Sequence, residues 1–182
     1  LLSKYLAGSN ASDDNHTYYE REYIHDLADY TLQTIDSTVS GNIGNTELPV
    51  VAASPDVLYL AQIVYKLSFP LSRRVFHELI YIYRPPSIVE STLQEFYVIS
   101  LPVDPILYKK DPTPGASRAV AASYTSVEHV SYDSTTDELL WTMCTSANPG
   151  GLVPRFLADS SLSRVISHDV PLFLNWATKQ KK

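Results

Sequence analysis

Glutamates and histidines on a predicted N-terminal helix are the first residues whose types and spacing could do chemistry in this 182-residue sequence. Glu22 and His25 are three residues apart, the spacing with which helical carboxylate–histidine pairs bind two iron ions. Such a site needs further carboxylates from other helices, and this chain has hardly any other helix to supply them. We therefore predict no metal site and interpret the pair as part of a solvated helix face.

Nucleophilic catalysis would need a serine or cysteine beside a histidine. His77, His129 and His168 are available, but the GxSxG pattern of an activated serine is absent. His168 and Asp169 are sequence neighbours, so they point in different directions on a helix. The single cysteine, Cys144, lies in a predicted strand, where a small buried apolar role is more usual. We predict no catalytic residues and no cofactor, and an enzyme on this scaffold is the less favoured alternative.

Gly150 and Gly151 lie between a predicted strand and a predicted helix, where a phosphate-binding loop could occur. The stretch TSANPGGLVP (145–154) has neither GxxxxGK[ST] nor GxGxxG spacing, and no Lys follows the glycines. Phosphate loops also belong to parallel sheets, whereas these strands are predicted to be antiparallel. We interpret Gly150, Gly151 and Pro154 as a hinge, in which the glycines leave the strand sharply and the proline starts the helix.

Two charged residues of the predicted sheet, Glu128 and Arg118, bear on ligand binding. A charge inside an apolar hollow needs a partner or a ligand head group, whereas a charge at the rim needs neither. The pattern favours the outer face or the rim for both residues and leaves the ligand role open.

Composition excludes several classes of protein. The chain is 45% hydrophobic and 19% charged, which is typical of one folded domain rather than a disordered tail. Its net charge is −6, and no basic cluster exceeds the tail KQKK and the pair Arg73-Arg74. This balance argues against nucleic-acid binding and against tight adhesion to an anionic membrane. Transient membrane contact and a protein partner stay open.

Cysteine usage and targeting signals bear on the compartment. One cysteine allows no disulfide within the chain and favours a reducing compartment. There is no signal peptide and no run of about 18 apolar residues that could span a membrane. We therefore predict an intracellular, cytoplasmic protein. The chain does not begin with Met, and we expect it to be a piece of a longer protein.

Helical periodicity appears near both ends of the chain. Segment 13–37 begins with capping residues, and its apolar or aromatic residues mostly recur every three to four positions. Segment 38–56 is rich in Gly, Ser, Asn and Pro and is predicted to be a loop. Segment 154–179 is predicted to be a long C-terminal helix with an apolar stripe. Pro171 lies within that stripe, so a kink or break is expected there.

Between these helices the apolar residues recur every second position, which is typical of half-buried strands. The predicted strands are 57–69, 76–84, 93–103, 118–133 and 138–146. Because they follow one another without helices, the sheet should be antiparallel. The sequence therefore predicts one α+β domain over 1–182, in which a curved antiparallel sheet at 57–146 grips the C-terminal helix.

A hollow between a curved sheet and a helix is a typical small-molecule site. The predicted ligand-contacting residues are the inward-facing members of the strands and the apolar stripe of the last helix. They are Tyr59, Ile63, Tyr65, Ile80, Tyr97, Tyr124, Trp141, Met143, Phe156, Val165, Ile166 and Phe173. A one-residue slip in a strand would invert which of its residues point inward.

Several segments resemble the C-terminal half of the START lipid-transfer domain. They are PLSRRVFHELIYIYR (70–84), EFYVISLPVD (95–104), SRAVAASYTSVEHV (117–130) and ELLWTMCTSANPGGLVPRFL (138–157). In that family a final strand carrying a Trp runs into a Gly-x-x-Pro turn and a long helix. The closer resemblance is to a START-like family of unknown function found mainly in fungi. It rests on NHTYYEREYIHDL (15–27), YTSVEHV (124–130), WTMCTSANPGGLVPRFL (141–157) and HDVPLFLNW (168–176).

The resemblance implies a helix-grip fold and non-enzymatic binding or transfer of a hydrophobic ligand, a lipid, between the sheet and the C-terminal helix. Sterol-carrying START members keep a buried Arg where this chain has Glu78-Leu79-Ile80, which argues against sterol binding by that arrangement. The chain is short at its N-terminus for a full START domain and is expected to lack the first strands, which either precede residue 1 in the full protein or are absent from a smaller cup. In an alternative, side chains fill the hollow and the acidic, Tyr-rich helix 13–37 contacts a protein partner.

Overall fold

The computed structural model of this protein describes residues 2–35, 57–67, 72–86, 92–108, 112–151, 153 and 155–180, with only the backbone described over 155–166. The two α-helices among these residues are α1, His16–Tyr23, and α2, Arg155–Lys179. The strands are β1 Leu27–Thr34, β2 Val57–Tyr65, β3 Arg74–Tyr83, β4 Leu93–Pro102, β5 Val120–Ala121, β6 Ser123–Asp133 and β7 Glu138–Asn148. None of the described helices is long and apolar enough to cross a membrane.

The strands form one curved sheet in the order β1-β2-β3-β4-β6-β7, and each of these neighbouring pairs is antiparallel. The prediction of an α+β protein with an antiparallel sheet and a C-terminal helix is therefore confirmed. The predicted strand 118–133 is divided, however, into a 3-10 turn, β5 and β6. β5 runs parallel to the start of β3 and pairs with Arg74 and Val75. These two residues precede the part of β3 that pairs with β4.

The N-terminal helix is much shorter than the predicted 13–37. α1 begins after Asn15, whose side-chain oxygen accepts a hydrogen bond of 2.9 Å from the Tyr18 amide, and it ends at Tyr23. Leu27–Thr34 form β1 instead, paired with β2. The apolar spacing fits a helix, but the edge of β2 offers a row of backbone groups that a strand satisfies and a helix does not. Residues 36–37 lie outside the described part.

Alternation along the strands sets one face of the sheet towards the helices. The registers align Val98 of β4 with Glu128 of β6, and Glu128 with Met143 of β7, so these side chains share this concave face. The side chain of Phe173 is fully buried from α2 against Trp141, with ring centroids 5.6 Å apart. The main core lies on this face.

α2 continues without a break through Pro171, where a kink or break was predicted. Proline lacks the N–H that would bond to the preceding turn, so the helix has one hydrogen bond fewer there. The proline is exposed, while Phe173 and Ala177 are fully buried on the packed side. Burial of the flanking turn therefore holds the helix together across the proline.

The opposite face carries a second, smaller core. Val64 and Val75 pack with Ala116 from the loop that follows β4. Gln62 ties this loop to the sheet, because its side-chain oxygen accepts a 2.5 Å hydrogen bond from the Thr113 amide. Both faces of the central strands are thus covered.

The exit from β7 is as sharp as the glycine pair predicts. Gly150 and Gly151 both have left-handed backbone angles, with φ of +65° and +64°. The buried Arg74 holds this exit to β3, because its Nε donates a 2.5 Å hydrogen bond to the Pro149 carbonyl. Pro154 lies outside the described residues, so the turn is confirmed for the two glycines alone.

Alanine at these two glycines should have unequal effects. A Cβ on Gly150 would overlap the Ala121 carbonyl, whereas one on Gly151 would lie 3.3 Å from Val120 Cγ1. Gly151→Ala should cost about 1–2 kcal/mol for the left-handed angle alone. Gly150→Ala should cost about 1–3 kcal/mol more because the backbone of β5 must shift. Thermal unfolding of both variants tests this, and equal melting temperatures would contradict it.

Candidate functional site

Most of the predicted ligand-contacting residues lie on the concave face or on α2. Tyr59, Ile63, Ile80 and Phe173 are buried in the main core, and Tyr65, Tyr124, Trp141 and Met143 are half-buried on the concave face. Phe156, Val165 and Ile166 belong to α2, but their side chains lie outside the described part.

Tyr97 is the exception, since its prediction as an inward residue is wrong. Its neighbours Phe96 and Val98 are buried, while Tyr97 stacks on His129 on the outer face, with ring centroids 4.4 Å apart. His129 in turn lies 2.8 Å from the carboxylate of Glu95. Apolar residues occupy both phases of this strand, so alternation alone could not decide which phase points inward.

The residues considered for catalysis and metal binding do not converge. Cys144 is exposed opposite Val127, so the expectation that it is a buried apolar side chain is wrong. Glu22 and His25 are both exposed, and His25 lies beyond the end of α1. The described residues contain no cluster of His, Cys, Asp and Glu arranged to hold a metal ion.

Glu128 lies on the concave face and is only 5% exposed, although the sequence pattern favoured the rim. Trp141 Nε1 donates a hydrogen bond of 3.0 Å to its Oε2 atom. Burial raises the pKa of Glu128, and the nearby His16 and the bond from Trp141 lower it in part. The alternation that places Tyr124 inward also places Glu128 inward, since the two are four residues apart on one strand.

Glu78 is also buried, at 5% exposure, on the concave face of β3. No residue in the described part of the chain donates a hydrogen bond to its carboxyl group or pairs with it. Burial raises the pKa of Glu78 well above its ordinary value, and the negative charge of Glu20 raises it further. A buried acid in this state is costly whenever it is ionised.

Two helical acids lie over this part of the sheet. Glu20 of α1 accepts a 2.6 Å hydrogen bond from the Tyr65 hydroxyl, and Asp169 of α2 is half-buried. Burial raises the pKa of Asp169 to about 7, with smaller contributions from Glu20 and Glu128. We call Glu20, Glu78, Glu128 and Asp169 the acidic cluster, because Glu20 acts electrostatically on each of the other three.

One imidazole borders the acidic cluster. His16 Nδ1 lies 2.8 Å from the Leu6 carbonyl, and since a carbonyl only accepts, Nδ1 carries the hydrogen. The other ring nitrogen faces Glu20 at 3.9 Å. It therefore bears a proton only when the ring is cationic, and His16 is the sole His, Lys or Arg that the described contacts place beside these acids.

Two buried hydroxyls lie beside the acids without hydrogen-bond partners. Ser126 is 1% exposed, two residues before Glu128 on the same face, and it is paired in register with Thr145. Neither hydroxyl oxygen has a hydrogen-bond partner among the residues that the structure describes. Both lie close enough to the Tyr124 hydroxyl to lower its pKa, which burial raises. Buried hydroxyls of this kind are uncommon and favour an additional partner.

A separate cleft of about 510 Å³ lies beside β5 and is lined by Arg73, Gly115, Ser117 and Arg118. Arg73 passes directly over Gly115, where a Cβ would lie 2.7 Å from its Nη1. Neither guanidinium pairs with an acid among the residues that the structure describes. Arg118 is two residues before β5, and Gly150 of the turn that leaves β7 packs on β5.

The sequence contained signals for part of this site. Tyr124 and Ile80 were predicted to point inward, and the same phase places Glu128, Ser126 and Glu78 inward. The contributions of Glu20 and Asp169 required knowledge of how the two helices lie on the sheet, which periodicity does not provide.

Comparison with known proteins links the chain to one family model. The model described as a protein of unknown function (DUF3074) matches residues 3–177, which is nearly the whole chain. No curated protein matches the chain.

Proposed function

Because the chain belongs to the DUF3074 family, whose function is unknown, its function has to be inferred from its residues, and we propose that it binds or transfers a hydrophobic ligand, a lipid, between the sheet and α2. The proposal describes a non-enzymatic START-like carrier with a helix-grip fold. The observation that carries it is a concave sheet face, covered by a helix, on which the buried hydroxyls of Ser126 and Thr145 have no hydrogen-bond partner among the described residues.

The two ends of the concave face differ in polarity. At one end Phe173, Tyr23 and Trp176 pack edge to face or tilted, with ring centroids 5.3 to 6.2 Å apart, and close the core. Towards the start of α2 the face carries Tyr124, Ser126 and Thr145 instead. The polar end of an amphiphilic ligand would form hydrogen bonds with these polar side chains, and its apolar body would pack against the aromatic end of the face. Water could form the hydrogen bonds but could not make the apolar contacts.

The cleft beside β5 suits the transfer step. Arg73 and Arg118 are exposed and unpaired among the described residues, although the chain as a whole has a net charge of −6. Two guanidiniums beside β5 can contact lipid phosphates, and the negative charge elsewhere limits how long contact lasts. The proposal therefore includes transient membrane contact.

The protein-interaction alternative receives less support from the structure. It assigned the Tyr-rich N-terminal helix to a partner, but Tyr23 is buried against Phe173, and Tyr19 packs on Tyr5 and Trp176. The tyrosines of this helix are largely engaged inside the protein itself.

Catalysis is the second candidate function, and the acidic cluster favours it. An acid with a pKa of about 7, such as Asp169, can donate or accept a proton at neutral pH. Extraction of the bound molecule distinguishes the two functions. A carrier releases its ligand chemically unchanged after prolonged incubation, whereas an enzyme changes the mass of the added molecule.

Native mass spectrometry of protein purified from cells tests the carrier proposal. We expect one lipid-sized adduct, released on denaturation. Thr145→Trp should abolish the adduct because the larger side chain fills the concave face, whereas Ser146→Trp on the exposed outer face should retain it. The absence of any adduct, or equal adducts in both tryptophan variants, would contradict the proposal.

Vesicle assays test the role of the cleft. Arg73→Gln with Arg118→Gln should slow uptake of fluorescent lipid from anionic vesicles by about 30-fold, since two lost phosphate contacts of about 1 kcal/mol each remove about 2 kcal/mol. Lys66→Gln with Lys179→Gln removes the same charge from exposed positions elsewhere and should change the rate much less. Equal slowing by the two pairs would indicate a general charge effect and contradict a specific entry site.

A further inference from the structure

We propose that the acidic cluster binds the positively charged amine head group of an amphiphilic ligand, with the ligand's alkyl chain along the apolar part of the concave face. This inference rests on the proposed binding function and specifies the chemical class of the ligand. It assigns Glu20, Glu128 and Asp169 as carboxylates around the amine, and Glu78 as a fourth acid beyond Glu20.

The acidic cluster has more acidic than basic groups. Glu20 acts electrostatically on each of the other three acids, and His16 is the one basic group that the described contacts place beside them. The buried Arg74 lies on the same face of β3 as Glu78, but its guanidinium donates hydrogen bonds to the backbone carbonyls of Pro149 and Ser72. Buried carboxylates without counter-charge either stay protonated or pay a large desolvation cost. An ammonium group supplies the missing positive charge and three hydrogen-bond donors in a single ligand atom.

The buried hydroxyl of Ser126 also indicates a bound ligand, independently of the number of charges. Ser126 is 99% buried, as its 1% exposure shows, and its hydroxyl has no hydrogen-bond partner. It points from the same strand face as Glu128, two residues away. The hydroxyl of Thr145, which is paired in register with Ser126, is likewise buried and has no hydrogen-bond partner among the described residues. Buried groups of this kind are rarely left without a partner, so a bound donor accounts for both.

The walls of the site favour an organic cation over a metal ion. The described residues offer no cluster with metal-ligating geometry. The residues beside the acids are instead aromatic, with Tyr23 and Tyr65 near Glu20 and Trp141 bonded to Glu128. Aromatic rings beside carboxylates suit an alkylammonium, because the ring faces attract the cation and the ring bodies accept its methylene groups.

Binding of a cation should be coupled to proton release. The titratable groups facing this region are His16, Glu20 and Tyr23 from α1, Tyr59, Tyr65, Glu78, Tyr124 and Glu128 from the sheet, and Asp169 from α2. Burial raises the pKa of Glu78, Glu128 and Asp169, that of Asp169 to about 7, so each of these acids holds its proton to a higher pH than an exposed carboxyl group does. An ammonium group would lower these pKa values and displace protons.

The test compares three probes with the same alkyl chain, dodecylammonium, dodecanol and dodecanoate, each below its micelle-forming concentration. Delipidated protein is titrated at neutral pH, and binding is followed by tryptophan fluorescence and calorimetry. We expect dodecylammonium to bind at least about tenfold more tightly than dodecanol, which corresponds to about 1.4 kcal/mol, and dodecanoate to bind most weakly. Calorimetry in two buffers with different ionisation heats should show proton release with the ammonium probe alone.

Variants locate the binding. Glu128→Gln and Asp169→Asn should each remove about tenfold of the ammonium affinity and leave dodecanol binding within about twofold, because they remove charge at constant shape. Glu138→Gln, an exposed position on β7, should change neither. Two independent sites keep the test informative if one variant fails to fold.

The outcomes separate this inference from the proposed function. Equal or tighter binding of dodecanol or dodecanoate, or ammonium binding without proton release, would overturn the amine assignment while leaving a hydrophobic-ligand site intact. Failure of all three probes to bind would overturn both the amine assignment and the proposed binding of a hydrophobic ligand.

Discussion

Phe173→Ala is expected to lower the free energy of unfolding by about 3–5 kcal/mol, the usual range for removing a fully buried phenylalanine. Phe173 has no exposed surface, and its ring contacts Tyr23, Trp141 and Trp176. These three residues belong to α1, β7 and α2, so this one ring joins both helices to the sheet. The cavity would lie at the centre of the core, where rigid neighbouring rings cannot collapse to fill it.

The adjacent position provides a matched control for Phe173→Ala. Leu174→Ala lies on the same turn of α2 and also creates an alanine, but Leu174 is 44% exposed. Its effect should stay below about 1 kcal/mol because little apolar area is lost there. Urea unfolding of both variants measures the difference. Similar costs for the two would mean that α2 is not docked on the sheet through Phe173, and the grip of the helix would have to be reconsidered.

The arrangement of strands and the final helix could be predicted because each depends on local periodicity. In β2, Tyr59 and Ile63 lie in the main core and Val64 lies in the smaller core on the opposite face, and the buried Phe173 lies in the apolar stripe of α2. Such patterns are set by which side of an element meets the core. These patterns can be recognised in the sequence without knowing which element packs against them.

β1 could not be predicted in the same way. Leu27 and Leu32 are its buried residues, and their five-residue separation is not the alternation that marks a strand, while the apolar spacing of the whole segment 13–37 fits a helix. The strand exists because β2 has an edge to be paired, which is a non-local cause. The strand-forming run Tyr30-Thr31-Leu32 was the available signal, and it was outweighed by the capping residues upstream.

The acidic cluster illustrates a different limit. The alternation of their strands predicts that the side chains of Glu78 and Glu128 point inward. It does not indicate whether these buried acids have a function. Glu20 and Asp169 come from different helices nearly the whole chain apart. Only the packing of α1 and α2 on one sheet brings their charges together, and it is this convergence, not any single acid, that indicates a site.

The delipidated protein is expected to lose stability as pH rises from about 5 to 8. Burial raises the pKa of Asp169 from its ordinary value of 3.8 to about 7, and it also raises the pKa values of Glu78 and Glu128. Between the ordinary and the raised pKa, the folded protein holds protons that the unfolded chain has released. Each such proton lowers the free energy of unfolding by about 1.4 kcal/mol per pH unit, so the stability present at low pH disappears as pH rises through the folded pKa.

One histidine acts in the opposite sense. Burial lowers the pKa of His77, whose Nε2 lies 2.8 Å from the Gln62 amide nitrogen and accepts its hydrogen bond. The unfolded chain therefore binds a proton that the folded state excludes, and this contribution makes stability rise with pH below about 6.5. The net loss should for this reason be clearest above pH 6.5, where the contribution of His77 has ended and Asp169, with its pKa of about 7, still titrates.

Urea unfolding across this pH range measures the slope, and paired variants assign it. Glu128→Gln with Asp169→Asn should flatten the fall in stability, because the replaced groups no longer release protons on unfolding. Glu22→Gln with Asp26→Asn removes two exposed carboxylates and should leave the slope unchanged. If stability instead rises with pH, or if both pairs flatten the slope equally, the acids are not held protonated inside the fold. The site would then lack the uncompensated acids that make an amine its expected ligand.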